Sequence, residues 1–115
     1  MTLEELRDQI DVLDRQLVEL LSERARAAQM VGQLKAATSL PVYEPNREKI
    51  VYENVRAANK GPLPDIELTH IYERIIDVMR ALQRHELASE RNAQAAAASE
   101  PGLAAGAPPP ETGKG

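Results

Sequence analysis

Two cations stand where apolar side chains belong in the first third of this 115-residue chain. At roughly 100° per residue around a helix axis, Arg24 falls near 240° and Lys35 near 260°. That is the middle of an apolar stripe formed by Leu6, Leu13, Leu17 and Val31. Arg7 lies on the shoulder of the same stripe, at about 340°, whereas Arg15 and Arg26 face the opposite side. A charge buried among apolar groups is costly unless it is paired. An internal salt bridge, to Glu48 or to a second copy of the chain, would satisfy Arg24 without any function, and Lys35 can snorkel at its helix end. Two or three cations meeting at one seam also make a cavity for a ligand with more than one carboxylate. Arginine grips a carboxylate with a two-pronged fork, and lysine supplies a movable point charge.

Further along, Arg47 shares a helical face with Ile50 and Val51 and points inward, with Glu48 beside it. Glu44 and Glu48 near a helix start are also explained by the helix dipole alone. Gln83 sits on the shoulder of a later apolar stripe, one turn after Met79, where its amide needs hydrogen-bond partners. The two histidines, His70 and His85, project to a polar face. HELAS lacks the second histidine of a zinc-protease motif, and there is no cysteine at all, so neither a metal site nor a thiol nucleophile is expected. Cations, carboxylates and an amide without an evident nucleophile point to chemistry by orientation and electrostatics.

Helices must position these groups. Over 3–37, apolar residues recur in steps of three and four without a proline, and Thr2 with Glu5 forms a capping box. Such a helix is about 50 Å long. The later, shorter helices cannot cover its whole stripe, which predicts an intertwined homodimer. After the loop SLPVYEP, Pro45 opens a second helix over 45–59, with Glu44 as its cap and Ile50, Val51, Val55 and Ala58 inward. Gly61, Pro62 and Pro64 end it. Asp65 opens a third helix over 65–90, with Leu68, Ile71, Tyr72, Ile75, Met79 and Leu82 as its stripe. No strand pattern appears, so the fold class is all-α.

Composition bounds the rest. Residues 88–115 hold nine Ala, four Gly and four Pro. Residues 93–115 are expected to be disordered and 88–92 a fraying helix end, leaving 1–87 as the folded domain. The net charge of −4 argues against nucleic acid. No apolar run is long enough to cross a membrane, and the acidic N-terminus is no signal peptide, so a soluble cytoplasmic protein is expected.

The segments LRDQIDVLDRQLVELLSERARAAQMVGQLK, LPVYEPNREK and IYERIIDVMRALQ resemble the all-α chorismate mutases. The resemblance spans about 3–87, and residue type, order and spacing agree at several separated positions. It implies an intertwined helical dimer that converts chorismate to prephenate, on the route to phenylalanine and tyrosine, without cofactor, metal or covalent intermediate. It assigns Arg7 to a substrate carboxylate in the partner's site and Arg24 to a carboxylate in its own. Lys35 and Gln83 would flank the ether oxygen, Glu44 would line the pocket, and Glu48, after Arg47, would hold the substrate hydroxyl. Met79 stands where several members have a serine and offers no comparable donor. Isochorismate-pyruvate lyases share the fold and are the nearest rival, although Glu48 after Arg47 favours the mutase. A non-catalytic helical dimerisation module is the remaining alternative, and the seam cations speak against it. Docking to another enzyme of aromatic biosynthesis is compatible with either.

Overall fold

The structure is a computed structural model and describes residues 1–98. It has three helices, α1 (Leu3–Thr38), α2 (Pro45–Ala58) and α3 (Asp65–Ala98), and no strand among the described residues. α1 starts on the expected capping box. The Glu5 amide donates to Thr2 Oγ1 at 3.1 Å, and the Thr2 amide donates to Glu5 Oε1 at 2.8 Å. It stops at Ser39, whose left-handed backbone (φ 61°) turns the chain, and the Ser39 and Leu40 amides both donate to the Lys35 carbonyl.

α2 begins at Pro45, as predicted, and Glu44 occupies the N-cap position, yet its side chain makes no capping bond. Asn59 organises the turn into α3. Its side-chain amide donates to Leu63 O and to Asp65 Oδ1, both at 2.7 Å, and its Oδ1 accepts from the Gly61 amide. Gly61 has φ 73°, a conformation that suits glycine.

α3 begins at Asp65 and runs to Ala98, beyond the expected end near residue 90. The alanines of 93–98 are strong helix formers and continue it without needing tertiary cover. The rest of the segment expected to be disordered, 99–115, lies outside the described residues.

α3 packs along α1 and carries α2 on another side. α2 touches only α3, so one narrow strip of it is partly covered: Glu48, Val51, Tyr52 and Val55. Ile50 and Ala58, expected to face inward, are therefore exposed. The buried centre is small, consisting of Ala28, Gly32 and Lys35 of α1 with Ile76 and Met79 of α3. Ile76, absent from the expected stripe, faces α1 because the buried line of α3 is rotated slightly from the one the sequence suggests. A Cβ on Gly32 would lie 3.0 Å from both Cα and O of Gln83, so the two long helices approach closely there. The N-terminal half of α1 has no cover in the single chain, and Leu3, Leu6, Ile10, Leu13, Leu17 and Leu20 are all exposed. The described residues extend over 70 × 36 × 16 Å, one layer of helices thick.

Candidate functional site

A cavity of about 460 Å³ opens where α1, α3, the start of α2 and the loop before it converge. Lys35 stands at its back and is only 5% exposed. It does not snorkel. Its ammonium donates to Gln83 Oε1 at 2.9 Å and to the Val42 carbonyl at 3.1 Å, and pairs with Glu44 Oε1 at 2.9 Å. An ammonium has three N–H bonds, and each has an acceptor here. One nitrogen thus ties together α1, the loop, the start of α2 and α3. This explains the missing cap of α2: the Glu44 carboxylate is engaged by Lys35 and is not available to the helix amides.

Gln83 accepts from Lys35 through its oxygen, and its amide nitrogen has no protein partner among the described residues. Both residues line the cavity, and it is the Gln83 oxygen, not its amide N–H, that faces the ammonium. The close approach at Gly32 sets their separation, because it fixes how near the Gln83 backbone comes to α1.

Arg24 lines the cavity and is partly exposed, with its guanidinium 6.0 Å from the centroid of the Tyr72 ring. It pairs with no carboxylate among the described residues, so the internal salt bridge to Glu48 considered from sequence is not formed within the chain. Glu48 is taken by Arg80 instead. Arg80 Nε donates to Glu48 Oε2 at 3.1 Å, and Nη2 bonds the same oxygen. Its Nη1 lies 3.4 Å from Asp77 Oδ1, and the guanidinium lies over the Tyr43 ring, 5.0 Å from its centroid. Arg47 also lines the cavity, although exposed, and Met79 closes its floor at 6% exposure. Arg7 is exposed and outside the cavity of its own chain. It lies 17 positions before Arg24, about 25 Å along the helix.

Sequence reasoning passed over Arg80. The available signal was its position, one turn after Ile76 and one turn before Gln83, which puts it beside the buried line of α3. Gly32 was also missed, since a glycine inside a helix declares a close approach only once its neighbour is known.

Four cations line the cavity, Arg24, Lys35, Arg47 and Arg80, against the carboxylates of Glu44 and Glu48. The balance of two positive charges complements a dianion. Hydrogen bonding to Glu48 raises the Arg80 pKa above its ordinary value, which keeps it a cation. The Tyr52 phenol is also pushed up, first by burial and then by the carboxylates of Glu73, Glu48 and Asp77, so it stays neutral at physiological pH. His70 sits 3.8 Å from Glu67 on the surface, and His85 is exposed. No group of three or more His, Cys, Asp or Glu among the described residues is arranged to hold a metal ion.

Fold and cavity together define a class: an all-helical protein with a strongly cationic pocket in the seam of two long helices. The profile of the chorismate mutase type II family matches residues 6–84, and the chain belongs to that family. A chorismate mutase of Methanocaldococcus jannaschii is 31% identical over 91 residues, covering 78% of this chain and 92% of that protein. The bifunctional chorismate mutase/prephenate dehydratase of Aquifex aeolicus is 37% identical over 86 residues, which is 71% of this chain. The chain spans about a quarter of the length of such bifunctional relatives, 24% for the Aquifex protein. The solved structure of chorismate mutase (form II) from Thermus thermophilus superposes with a TM-score of 0.69 at 33% identity, covering 70% of this chain and 92% of that one. No helix among the described residues is long and apolar enough to cross a membrane.

Proposed function

We propose that the chain converts chorismate to prephenate by an intramolecular Claisen rearrangement, supplying phenylalanine and tyrosine biosynthesis. The observation that carries this reading is the Lys35–Gln83 pair, joined at 2.9 Å on the wall of the cationic cavity. As the C–O bond of the substrate breaks, negative charge gathers on the ether oxygen. An ammonium and an amide N–H beside that oxygen bind the transition state better than the substrate, which is what lowers the barrier. To do so Lys35 exchanges one of its acceptors for the ligand, and Gln83 turns its free amide nitrogen inward. Arg24 and Arg47 hold carboxylates, and their grip favours the compact, chair-like conformer over the extended one. Glu48 accepts from the substrate hydroxyl, Glu44 holds Lys35 in place, and Met79 shapes the floor. An acceleration of about 10⁶ needs only about 8 kcal/mol, within reach of a few charge-assisted bonds made by preorganised groups. No cofactor enters this scheme.

The working unit in this reading is residues 1–87, taken as a homodimer. The uncovered stripe from Leu3 to Leu20 supports pairing with a second α1, and Arg7 of the second copy then completes each pocket. A cytoplasmic location accords with a biosynthetic role. The fusion of chorismate mutase to prephenate dehydratase in the Aquifex protein supports docking to another enzyme of the same route.

Purified protein incubated with chorismate, and separately with isochorismate, tests the assignment. Prephenate forms from chorismate in the first reaction. Pyruvate from isochorismate with no prephenate in the other tube would instead identify the lyase of the same fold, and inertness toward both would leave the helical dimerisation module.

A further inference from the structure

Arg80 has no role in the scheme above, yet it is the most constrained arginine in the molecule. Two of its nitrogens, Nε and Nη2, converge on one oxygen of Glu48, Oε2. The other carboxylate oxygen, Oε1, has no protein partner among the described residues, although Glu48 lines the cavity. A third nitrogen reaches Asp77, and the guanidinium plane is backed by Tyr43 from the loop between α1 and α2. Three of the five N–H donors of the guanidinium are engaged, and α3, α2 and the loop all restrain it.

We infer that Arg80 is a positioning residue that aims the free Oε1 of Glu48 at a hydroxyl of the ligand. Two donors on Oε2 fix the rotation of the carboxylate, so Oε1 is presented in one orientation. Arg80 also neutralises a negative charge that faces an anionic ligand. Without it, the balance of cavity charge falls from two positive to one, and Glu48 repels the ligand carboxylates. The inference rests on the proposed reaction, because it takes the ligand to be a dianion that bears a hydroxyl.

The test is a double-mutant cycle on full-length protein, with kcat and KM measured separately on chorismate for Arg80→Met, Glu48→Gln and the double variant. Arg80→Met lowers kcat/KM by about 10- to 100-fold in the wild-type background and by less than about 3-fold when Glu48 is already Gln. Part of the loss appears in kcat, because a freely rotating carboxylate misaligns the ligand. Arg80→Lys restores the charge without the fork and recovers KM more than kcat. Equal losses in both backgrounds would show that Arg80 meets the ligand itself and would overturn the inference, as would wild-type kinetics for Arg80→Met. If Arg80→Met does not fold, as read from its helicity, Arg80→Lys carries the cycle, with the same coupling expected at smaller size. A wild-type protein inert toward chorismate overturns the reaction and this inference together. An active wild type without coupling overturns this inference alone.

Discussion

At the scale of single residues, charge location was legible and charge pairing was not. Lys35 stands out as a cation on an apolar stripe, yet that position is equally compatible with snorkelling at the helix end; its burial with three acceptors is what the structure adds. Which acceptors it takes depends on atoms 7 to 48 positions away, and no local pattern encodes them. For the same reason the sequence offers Glu48 as one of two partners for Arg24, the other being a second copy of the chain, whereas in the structure Glu48 pairs with Arg80. The Glu44 carboxylate serves Lys35 at the expense of a helix cap. Lys35→Met tests whether this ammonium is catalytic or merely structural. The change keeps the stem and removes the charge, leaving Gln83 Oε1, Val42 O and Glu44 without their donor. As a catalytic donor, Lys35 is worth about 10²–10³ in kcat. A stopped assay for prephenate reads this directly, alongside a circular dichroism spectrum to confirm retained helix. A kcat within about 3-fold of wild type would make Lys35 a fastener of the loop and nothing more.

At the scale of elements, starts were easier to read than ends and faces. Thr2 with Glu5, Pro45 and Asp65 mark the three helix starts, because caps and prolines act within one turn. The end of α3 was missed because alanines that bury nothing still favour helix. The outward Ile50 was missed because the covered width of a helix depends on how many neighbours it has, and α2 has one. The close approach of α1 and α3 at Gly32 concerns function because its neighbour is Gln83. In Gly32→Ala the new methyl lies 3.0 Å from the Cα and O of Gln83 and from Glu86 Cβ. Two of those atoms are backbone, so the helices must separate by a few tenths of an ångström. The intrinsic preference of helices for alanine favours the substitution by about 1 kcal/mol, which partly offsets the crowding. Stability therefore changes little, while Gln83 is displaced from Lys35. Gly32→Ala is expected to lower kcat by about 10-fold or more, with an unfolding midpoint close to wild type. Unaltered kcat would mean that the Gln83 side chain re-forms its contact without help from the helix spacing.

At the scale of the molecule, a layer only 16 Å thick encloses no more than the small buried centre around Ala28, Ile76 and Met79. Folded domains bury their apolar faces between at least two layers, and here the stripe of α1 from Leu3 to Leu20 faces solvent in the single chain. The proposed dimer supplies the second layer with an identical stripe, as expected for an interface with twofold symmetry. In that proposal Arg7, about 25 Å along α1 from Arg24, would serve the pocket of the second copy. The two halves of this idea are tested together by mixing inactive variants. Arg7→Ala dimers lack the donated arginine at both sites, and Arg24→Ala dimers lack the resident one. In a mixed dimer, one pocket combines the intact Arg24 of the first chain with the intact Arg7 of the second, and the other pocket lacks both. Random exchange at equal concentrations makes half of the dimers mixed, so about one quarter of all pockets are restored. Activity rising toward that fraction over the time of subunit exchange is the expected result. A mixture that stays as inactive as its parents, with exchange shown by mass spectrometry of labelled chains, would place Arg7 outside the site. The catalytic unit would then be the single chain, despite its exposed stripe.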